Sequence, residues 1–191
     1  MPLIIIILVV ALVIAALVSV GRLFFTGGSN TSKAPDSTES VLTALHDTSD
    51  GHAVRWTVRG PIVADEKFRS YQIEVTPNER SYTMYAGYLD QAIATKTYPN
   101  NTQAYEQFVY ALDKAGVGQT RNIKDTDYRG VCATDGFAYV FETLNGGSAD
   151  HTLWTSSCNG SKGSLAANVS QVHALFANQI PDFKPLFTAT Y

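Results

Sequence analysis

The chain has 191 residues and a formal net charge of −3, and 45% of its residues are hydrophobic while 16% are charged. Residues 1 to 21 contain no Asp, Glu, Lys or Arg, so this charge belongs wholly to the segment that follows. A mildly acidic segment without a basic stripe does not match the phosphate backbone, which excludes nucleic acid as an expected partner. The roughly 150 residues after position 36 are enough for one domain with its own core.

Residues 3 to 20 are apolar throughout, except for the small Ser19. As a helix they would be about 27 Å long at roughly 1.5 Å per residue, which is close to the hydrocarbon thickness of a bilayer. Apolar residues on every face suit a helix that acyl chains surround. We therefore predict a transmembrane anchor over residues 1–25, which binds the lipid bilayer through residues 3–20, and a flexible tether over residues 26–36.

A cleaved signal peptide is the alternative interpretation of this first stretch. No Lys or Arg precedes the apolar run, the run is longer than a typical signal core, and no small-x-small site closes it before Gly21. These features favour an uncleaved anchor. Arg22 and Lys33 would place the following domain in the cytoplasm by the positive-inside rule, but Asp36 and Glu39 offset them.

Cys132 and Cys158 are the two cysteines of the chain. An even pair in an anchored chain predicts a disulfide, which requires an oxidising compartment and so favours an extracytoplasmic domain. The alternative is two unrelated buried thiols. A cysteine nucleophile is disfavoured because no His or Lys neighbours either residue in the sequence.

The segment after residue 36 begins with helical and then with strand periodicity. Asp36 and Glu39 have the spacing of a capping box, and the apolar residues after them recur at helical intervals, which predicts a short helix. Apolar and polar residues then alternate over residues 54–59, 71–76 and 81–89. We expect these three strands to form an antiparallel meander.

The second half of the chain predicts a helix, a hairpin, a strand and a closing helix. The helix begins near Asn100 and ends at Gly116, with an apolar stripe along one face. Asp135-Gly136 predicts a type I′ turn that joins strands over residues 128–134 and 137–144, and a further strand covers 151–157. A helix over residues 165–180 ends before Pro181.

The predicted fold class is therefore α+β: an N-terminal transmembrane helix, then one domain over residues 37–191 with an antiparallel β meander, a helix, a β hairpin with further strands, and a C-terminal helix. The disulfide conflicts with simple sequential strand order, because Cys132 and Cys158 would then lie about 9–10 Å apart. Either Cys158 lies past the end of its strand or Cys132 is not in a ladder. The turn-like residues 159–163 favour the first.

No motif predicts catalysis, a cofactor or a metal. His46, Asp47, Asp50 and His52 are the one local group of potential metal ligands, but they lack HxxxH or HExxH spacing. His151 and His173 fall on a predicted strand and a predicted helix, where a solvent-facing or structural histidine is usual. We accordingly expect a protein that is not an enzyme, with no catalytic, cofactor-binding or metal-binding residues.

Three segments carry a resemblance to a known family. They are Arg59-Gly60-Pro61-Ile62 at the end of the first strand, Gly136 to Phe141 in the predicted hairpin, and Leu175-Phe176 in the closing helix. With the order meander, helix, hairpin and helix, they resemble small bacterial protease inhibitors of the emfourin type, and also uncharacterised, singly anchored bacterial surface proteins. The resemblance covers about residues 54–187 and implies a domain that fills the cleft of a metalloprotease. The predicted anchor and the paired cysteines depart from the soluble inhibitor pattern.

These observations predict a single-pass protein of the cell membrane whose C-terminal domain is extracytoplasmic. The predicted function is a non-enzymatic module that binds a protein or envelope partner. Two alternatives stay open: a protease inhibitor of the emfourin type, and a surface hydrolase whose site would gather residues from distant positions.

Overall fold

The structure is a computed structural model that describes residues 37–123, 126–132, 135–158 and 162–190. The predicted anchor (1–25) and tether (26–36) lie outside these ranges. Among the described residues, no helix has both the length and the apolar character that crossing a bilayer requires.

A six-stranded, wholly antiparallel sheet forms the centre of the domain, which confirms the predicted α+β class. The spatial order of the strands is β4-β3-β2-β1-β5-β6. The meander therefore has four strands, and a later hairpin extends the sheet on the other side of β1. The strands are β1 His52–Arg59, β2 Arg69–Val75, β3 Glu79–Ala86, β4 Gln91–Pro99, β5 Ala138–Asn145 and β6 Ser148–Ser156.

In the described part of the chain, four helices pack against the sheet and complete the core. They are α1 Thr38–His46, α2 Thr102–Lys114, α3 Val169–Ala177 and α4 Phe183–Thr190, and a 3₁₀ turn covers Asp65–Lys67. Side-chain oxygens of Ser37, Asn101 and Asn168 accept hydrogen bonds at the first three N-termini, from Ser40, Ala104 and Gln171 respectively. Two of these caps lie one residue beyond the predicted Asp36 and Asn100. Both predicted helix starts are otherwise confirmed.

The two-residue period of the strands separates a buried face from a polar face. In β1, Val54, Trp56 and Val58 are buried and belong to the core that the helices complete. Trp56 is fully buried, and its indole stacks on Tyr139 and on Phe176 of α3 at centroid distances of 5.6 and 5.7 Å. Because successive side chains alternate, this packing directs the polar residues of β1 to the opposite side of the sheet.

The predicted hairpin at Asp135-Gly136 is wrong. Strand β5 pairs with β1 along one edge and with β6 along the other, so no edge remains for a strand over residues 128–134. The described residues 126–132 lack strand structure, and Cys132 has a φ of 60°. The true hairpin joins β5 to β6 through Gly146 and Gly147.

Strand β4 and helix α4 were not predicted, and α3 begins later than predicted. Nearly all of β4 is exposed. An edge strand without a covering layer needs no apolar alternation, so its sequence lacks the pattern that predicted the other strands. Leu165, the predicted helix start, is still in extended chain, where it bridges Thr120 and donates its N–H to the Trp154 carbonyl. The short helix α4 follows Pro181.

The disulfide between Cys132 and Cys158 is confirmed, with a Cα–Cα distance of 5.4 Å. Both conditions that could reconcile it with the sheet are met: Cys158 lies two residues past the end of β6, and Cys132 lies outside any strand. Gly136 permits the close approach, because a Cβ there would lie 2.6 Å from Ser157 Oγ and 2.8 Å from Cys158 Sγ.

Removing the disulfide should destabilise the domain markedly. The cross-link closes a loop with a sequence separation of 26, for which the chain-entropy model gives about 3.5 kcal/mol. The double variant Cys132→Ala/Cys158→Ala should therefore lower the urea midpoint of unfolding, and it should raise the slope because the unfolded chain without the cross-link is less compact.

The reduced wild-type protein is the matched control and should unfold at nearly the same urea concentration as the double variant. A loss below about 1 kcal/mol in both would contradict the prediction, since it would mean that the loop is equally constrained without the bond.

Candidate functional site

The polar face of the sheet contains a shallow depression of about 240 Å³. We call it the polar depression. Outward-facing side chains of β1, β2, β3 and β5 form its floor, and the loops after β3 and before β5 supply Asp90 and Tyr128 at its rim. The floor residues used below are Arg55, Thr57, Arg59, Ser70, Gln72, Tyr85 and Glu142.

Arg55 is held between two glutamates at one end of the depression. Its Nε and Nη2 donate to Glu74 Oε2 at 3.1 and 3.0 Å, and its Nη1 donates to Glu142 Oε2 at 3.4 Å. Both contacts follow from register, because Arg55 lies directly opposite Glu74 on β2 and Glu142 on β5. Such partly exposed pairs contribute on the order of 1 kcal/mol or less, but they fix three long side chains in one geometry.

A row of neutral hydrogen bonds crosses the middle of the depression. The Gln72 amide nitrogen donates to Thr57 Oγ1 at 3.3 Å, and the Tyr85 hydroxyl donates to Gln72 Oε1 at 3.2 Å. Burial raises the pKa of Tyr85, so its hydroxyl keeps its proton at neutral pH. The row therefore presents fixed polar groups on three adjacent strands.

Arg59 and Asp90 close the opposite end. Nη1 of Arg59 donates to the two carboxylate oxygens of Asp90 at 2.9 and 3.0 Å. The Arg59 guanidinium carbon also lies 5.0 Å from the centroid of the Phe68 ring, within cation–π range. This ion pair ties the β3–β4 turn to the centre of the sheet.

Tyr128 lies over the depression from the loop that precedes the disulfide cysteine. Burial, together with the Glu142, Asp90 and Asp127 carboxylates, raises its pKa, while Arg59 opposes the shift. Its hydroxyl is therefore a protonated donor, and it makes no hydrogen bond to any residue in the described part of the chain. The Tyr128 hydroxyl is therefore a hydrogen-bond donor at the rim of the polar depression.

A smaller groove of about 90 Å³ continues from the polar depression and shares Arg59 and Tyr128 with it. Ile62, Phe68 and Tyr88 are among its apolar and aromatic lining. We call it the aromatic groove. The Phe68 and Tyr88 rings stack at a centroid distance of 4.1 Å, so the wall of the groove is fixed.

The turn beside the aromatic groove is rigid although it exposes apolar side chains. The Tyr88 hydroxyl donates to the Val63 carbonyl at 2.7 Å and accepts from the Val63 N–H at 3.0 Å. The Tyr88 N–H donates to Asp65 at 2.8 Å. The next residue, Leu89, is 96% exposed.

The histidines that the sequence singled out are dispersed. His46 Nε2 lies 2.9 Å from Asp113 on α2, and His52 Nε2 lies 3.2 Å from Asp47. His151 Nε2 lies 3.6 Å from Asp150. Within the described ranges, no three metal-ligating side chains gather at one point.

His173 lies on the helical side of the sheet, between α3 and the core. Its Nδ1 is 3.4 Å from Trp56 Nε1 and 3.4 Å from the Tyr71 hydroxyl. Because an indole N–H can only donate, Nδ1 is the unprotonated ring nitrogen. Burial lowers the pKa of His173, and the neutral ring is thus part of the packing around Trp56.

The polar depression combines paired charged groups with a buried serine. Among the residues that the structure describes, no histidine lines it, and Ser70 is buried with its hydroxyl 3.4 Å from Asp90. A hydrolytic site needs a nucleophile beside a base, or a pair of carboxylates that are free to act on a substrate. Here Arg55 forms ion pairs with Glu74 and Glu142, and Arg59 forms one with Asp90.

Comparison with known proteins adds no assignment: no family model, no curated protein and no solved structure matches this chain. Its function must be argued from its own geometry.

Sequence reasoning did not identify the polar depression. The alternation that predicted β1 and β2 does place Arg55 and Glu74 on one polar face, but the contribution of Glu142 depends on the pairing of β5 with β1. That pairing joins residues 87 positions apart, and no local pattern encodes it.

Acidification should destabilise the domain through His173. The pKa of this ring is lowered in the folded state. Below about pH 6.5 the unfolded chain therefore binds more protons than the folded one, and the free energy of unfolding decreases as the pH is lowered. Thermal unfolding at pH 7 and pH 5 should show a smaller loss for His173→Asn than for wild type.

The other histidines act as an internal reference, because they are present in both proteins. An equal loss of stability in wild type and His173→Asn between pH 7 and pH 5 would contradict this account of the buried ring.

Proposed function

We propose that this chain is a membrane-anchored, extracytoplasmic and non-enzymatic module that binds a protein or envelope partner through the polar depression and the aromatic groove. The observation that carries the proposal is the polar face itself. Helices cover one side of the sheet, whereas the other side holds Arg55, Gln72 and Tyr85 in fixed hydrogen bonds around an accessible depression. Pre-ordered side chains lose little freedom when a ligand binds, which favours recognition.

The proposed location depends on two features of the chain. Residues 3–20 have the length and composition of a bilayer span. The Cys132–Cys158 bond belongs to an oxidising compartment, and for a membrane protein that is the side away from the cytoplasm.

The non-enzymatic part of the proposal depends on the paired charges. Each arginine of the depression is bonded to a carboxylate that a catalytic mechanism would need free. Protease inhibition of the emfourin type stays a prediction from the resemblance, and surface hydrolysis stays the third alternative.

Reporter fusions should report an exported C-terminus. Alkaline phosphatase fused after residue 191 should be active, because its disulfides form only outside the cytoplasm, and green fluorescent protein at the same point should be dark. Deleting residues 1–25 should abolish phosphatase activity. Bright fluorescence with inactive phosphatase would place the domain in the cytoplasm and contradict the proposal.

A charge placed in the polar depression should block partner capture. The full-length protein in detergent is immobilised, and envelope extract is passed over it. Thr57→Lys puts a long cation on the floor between Gln72 and Val140 and should reduce the recovered partner at least ~10-fold, equivalent to about 1.4 kcal/mol.

Thr43→Lys is the matched control, since Thr43 is an exposed residue of α1 on the helical side. It should capture as wild type does. Equal recovery by both variants, at equal thermal stability, would show that the polar face is not the binding surface.

A further inference from the structure

The chemistry of the polar depression, taken with the proposed function on which this inference rests, points to a class of ligand. We propose that the polar depression and the aromatic groove bind an uncharged carbohydrate chain of the cell envelope, with one sugar unit in the depression and the next against the aromatic wall.

Charge excludes an anionic ligand. Three guanidinium groups border the two sites, those of Arg55, Arg59 and Arg129, and each is already bonded to a carboxylate. Four carboxylates take part in these pairs, so the formal local charge is −1. A phosphate or sulfate would have to displace a carboxylate from its arginine and would then face unpaired negative charge.

The polar floor excludes an apolar ligand and matches hydroxyl groups. Covering Arg55, Gln72 and Glu142 with hydrocarbon would remove polar groups from water without new hydrogen bonds, which costs free energy. A sugar hydroxyl both donates and accepts, so one sugar ring can accept from Arg55 or Tyr128 and donate to Glu142 or Gln72 at the same time. Charge-assisted bonds to fixed side chains are the stronger kind.

The second site supplies an apolar surface for the next unit. Sugars carry C–H groups on their ring faces. Tyr88 is partly exposed, its hydroxyl is bonded to Val63 and its ring stacks on Phe68, so it offers a fixed aromatic surface to them. Because the two sites share Arg59 and Tyr128, a ligand can pass from one to the other without a gap.

The volume of the polar depression favours the binding of one sugar unit. The depression measures about 240 Å³, below the roughly 300–1,000 Å³ of sites that enclose a drug-sized molecule. An open, shallow site of this size fits one sugar ring of a chain whose neighbours remain in solvent. An extended peptide would instead seek the free backbone groups at a sheet edge, which this face does not offer.

The test is calorimetric titration of the full-length protein in a sugar-free detergent. The probes are hexamers of neutral sugars, namely cello-, malto-, laminari-, manno- and chitohexaose, with a heparin hexasaccharide and hexameric polyphosphate as anionic comparisons. At least one neutral hexamer should give a saturable isotherm that changes little between 50 and 300 mM salt, and the anionic probes should bind at least ~10-fold more weakly.

Two conservative variants connect the binding to the site. Tyr128→Phe removes one hydroxyl and Glu142→Gln removes one charge, and each should weaken sugar binding at least ~5-fold. Tyr110→Phe and Glu106→Gln on α2 are the matched controls and should bind as wild type does. Unfolding midpoints measured on all four variants separate a loss of binding from a loss of fold.

Three results would overturn the inference. They are tighter binding of an anionic probe, equal sugar binding by site and control variants, and no binding of any neutral hexamer. In the last case, envelope capture that Thr57→Lys still abolishes would leave the proposed function standing with another ligand. If no neutral hexamer binds and Thr57→Lys captures the envelope partner as wild type does, both the sugar inference and the proposed function are overturned.

Discussion

The burial of Trp56 is the constraint on which the rest of the structure depends. Its indole stacks on Tyr139 and Phe176 and donates toward His173, so residues from β1, β5 and α3 meet at one side chain. A large ring buried at this point fixes the register of β1, because a slip of one residue would expose it and bury its polar neighbours. The sidedness of the whole sheet follows from it.

The burial of Trp56 also determines which residues form the polar face of the sheet. With Trp56 inward, Arg55 must point outward between the partners that the register brings opposite it, Glu74 and Glu142. Their ion pairs contribute little free energy at partial exposure. Their consequence is order: they hold charged groups in place on a surface that the helices leave uncovered, and they pair both described arginines of the polar depression with carboxylates.

Two loops complete the site from the same end of the sheet. The disulfide at Cys132 fixes the end of the loop that carries Tyr128, and the Cys132 carbonyl accepts from the Ile62 N–H at 3.4 Å. The β3–β4 turn is held by Asp90 and Tyr88. A covalent bond and a set of hydrogen bonds therefore restrain segments that regular secondary structure does not.

The sequence by itself determined the apolar residues 3–20, the alternation of β1 to β3, the starts of α1 and α2, and the pairing of Cys132 with Cys158, because each depends on local periodicity, capping or a simple count. It also indicated which side of β1 is polar. Only the tertiary structure decided that β5 lies between β1 and β6, which leaves residues 128–132 as a loop and brings Glu142 to Arg55. Strand pairing over such separations depends on the packing of both sheet faces, and no single segment carries that information.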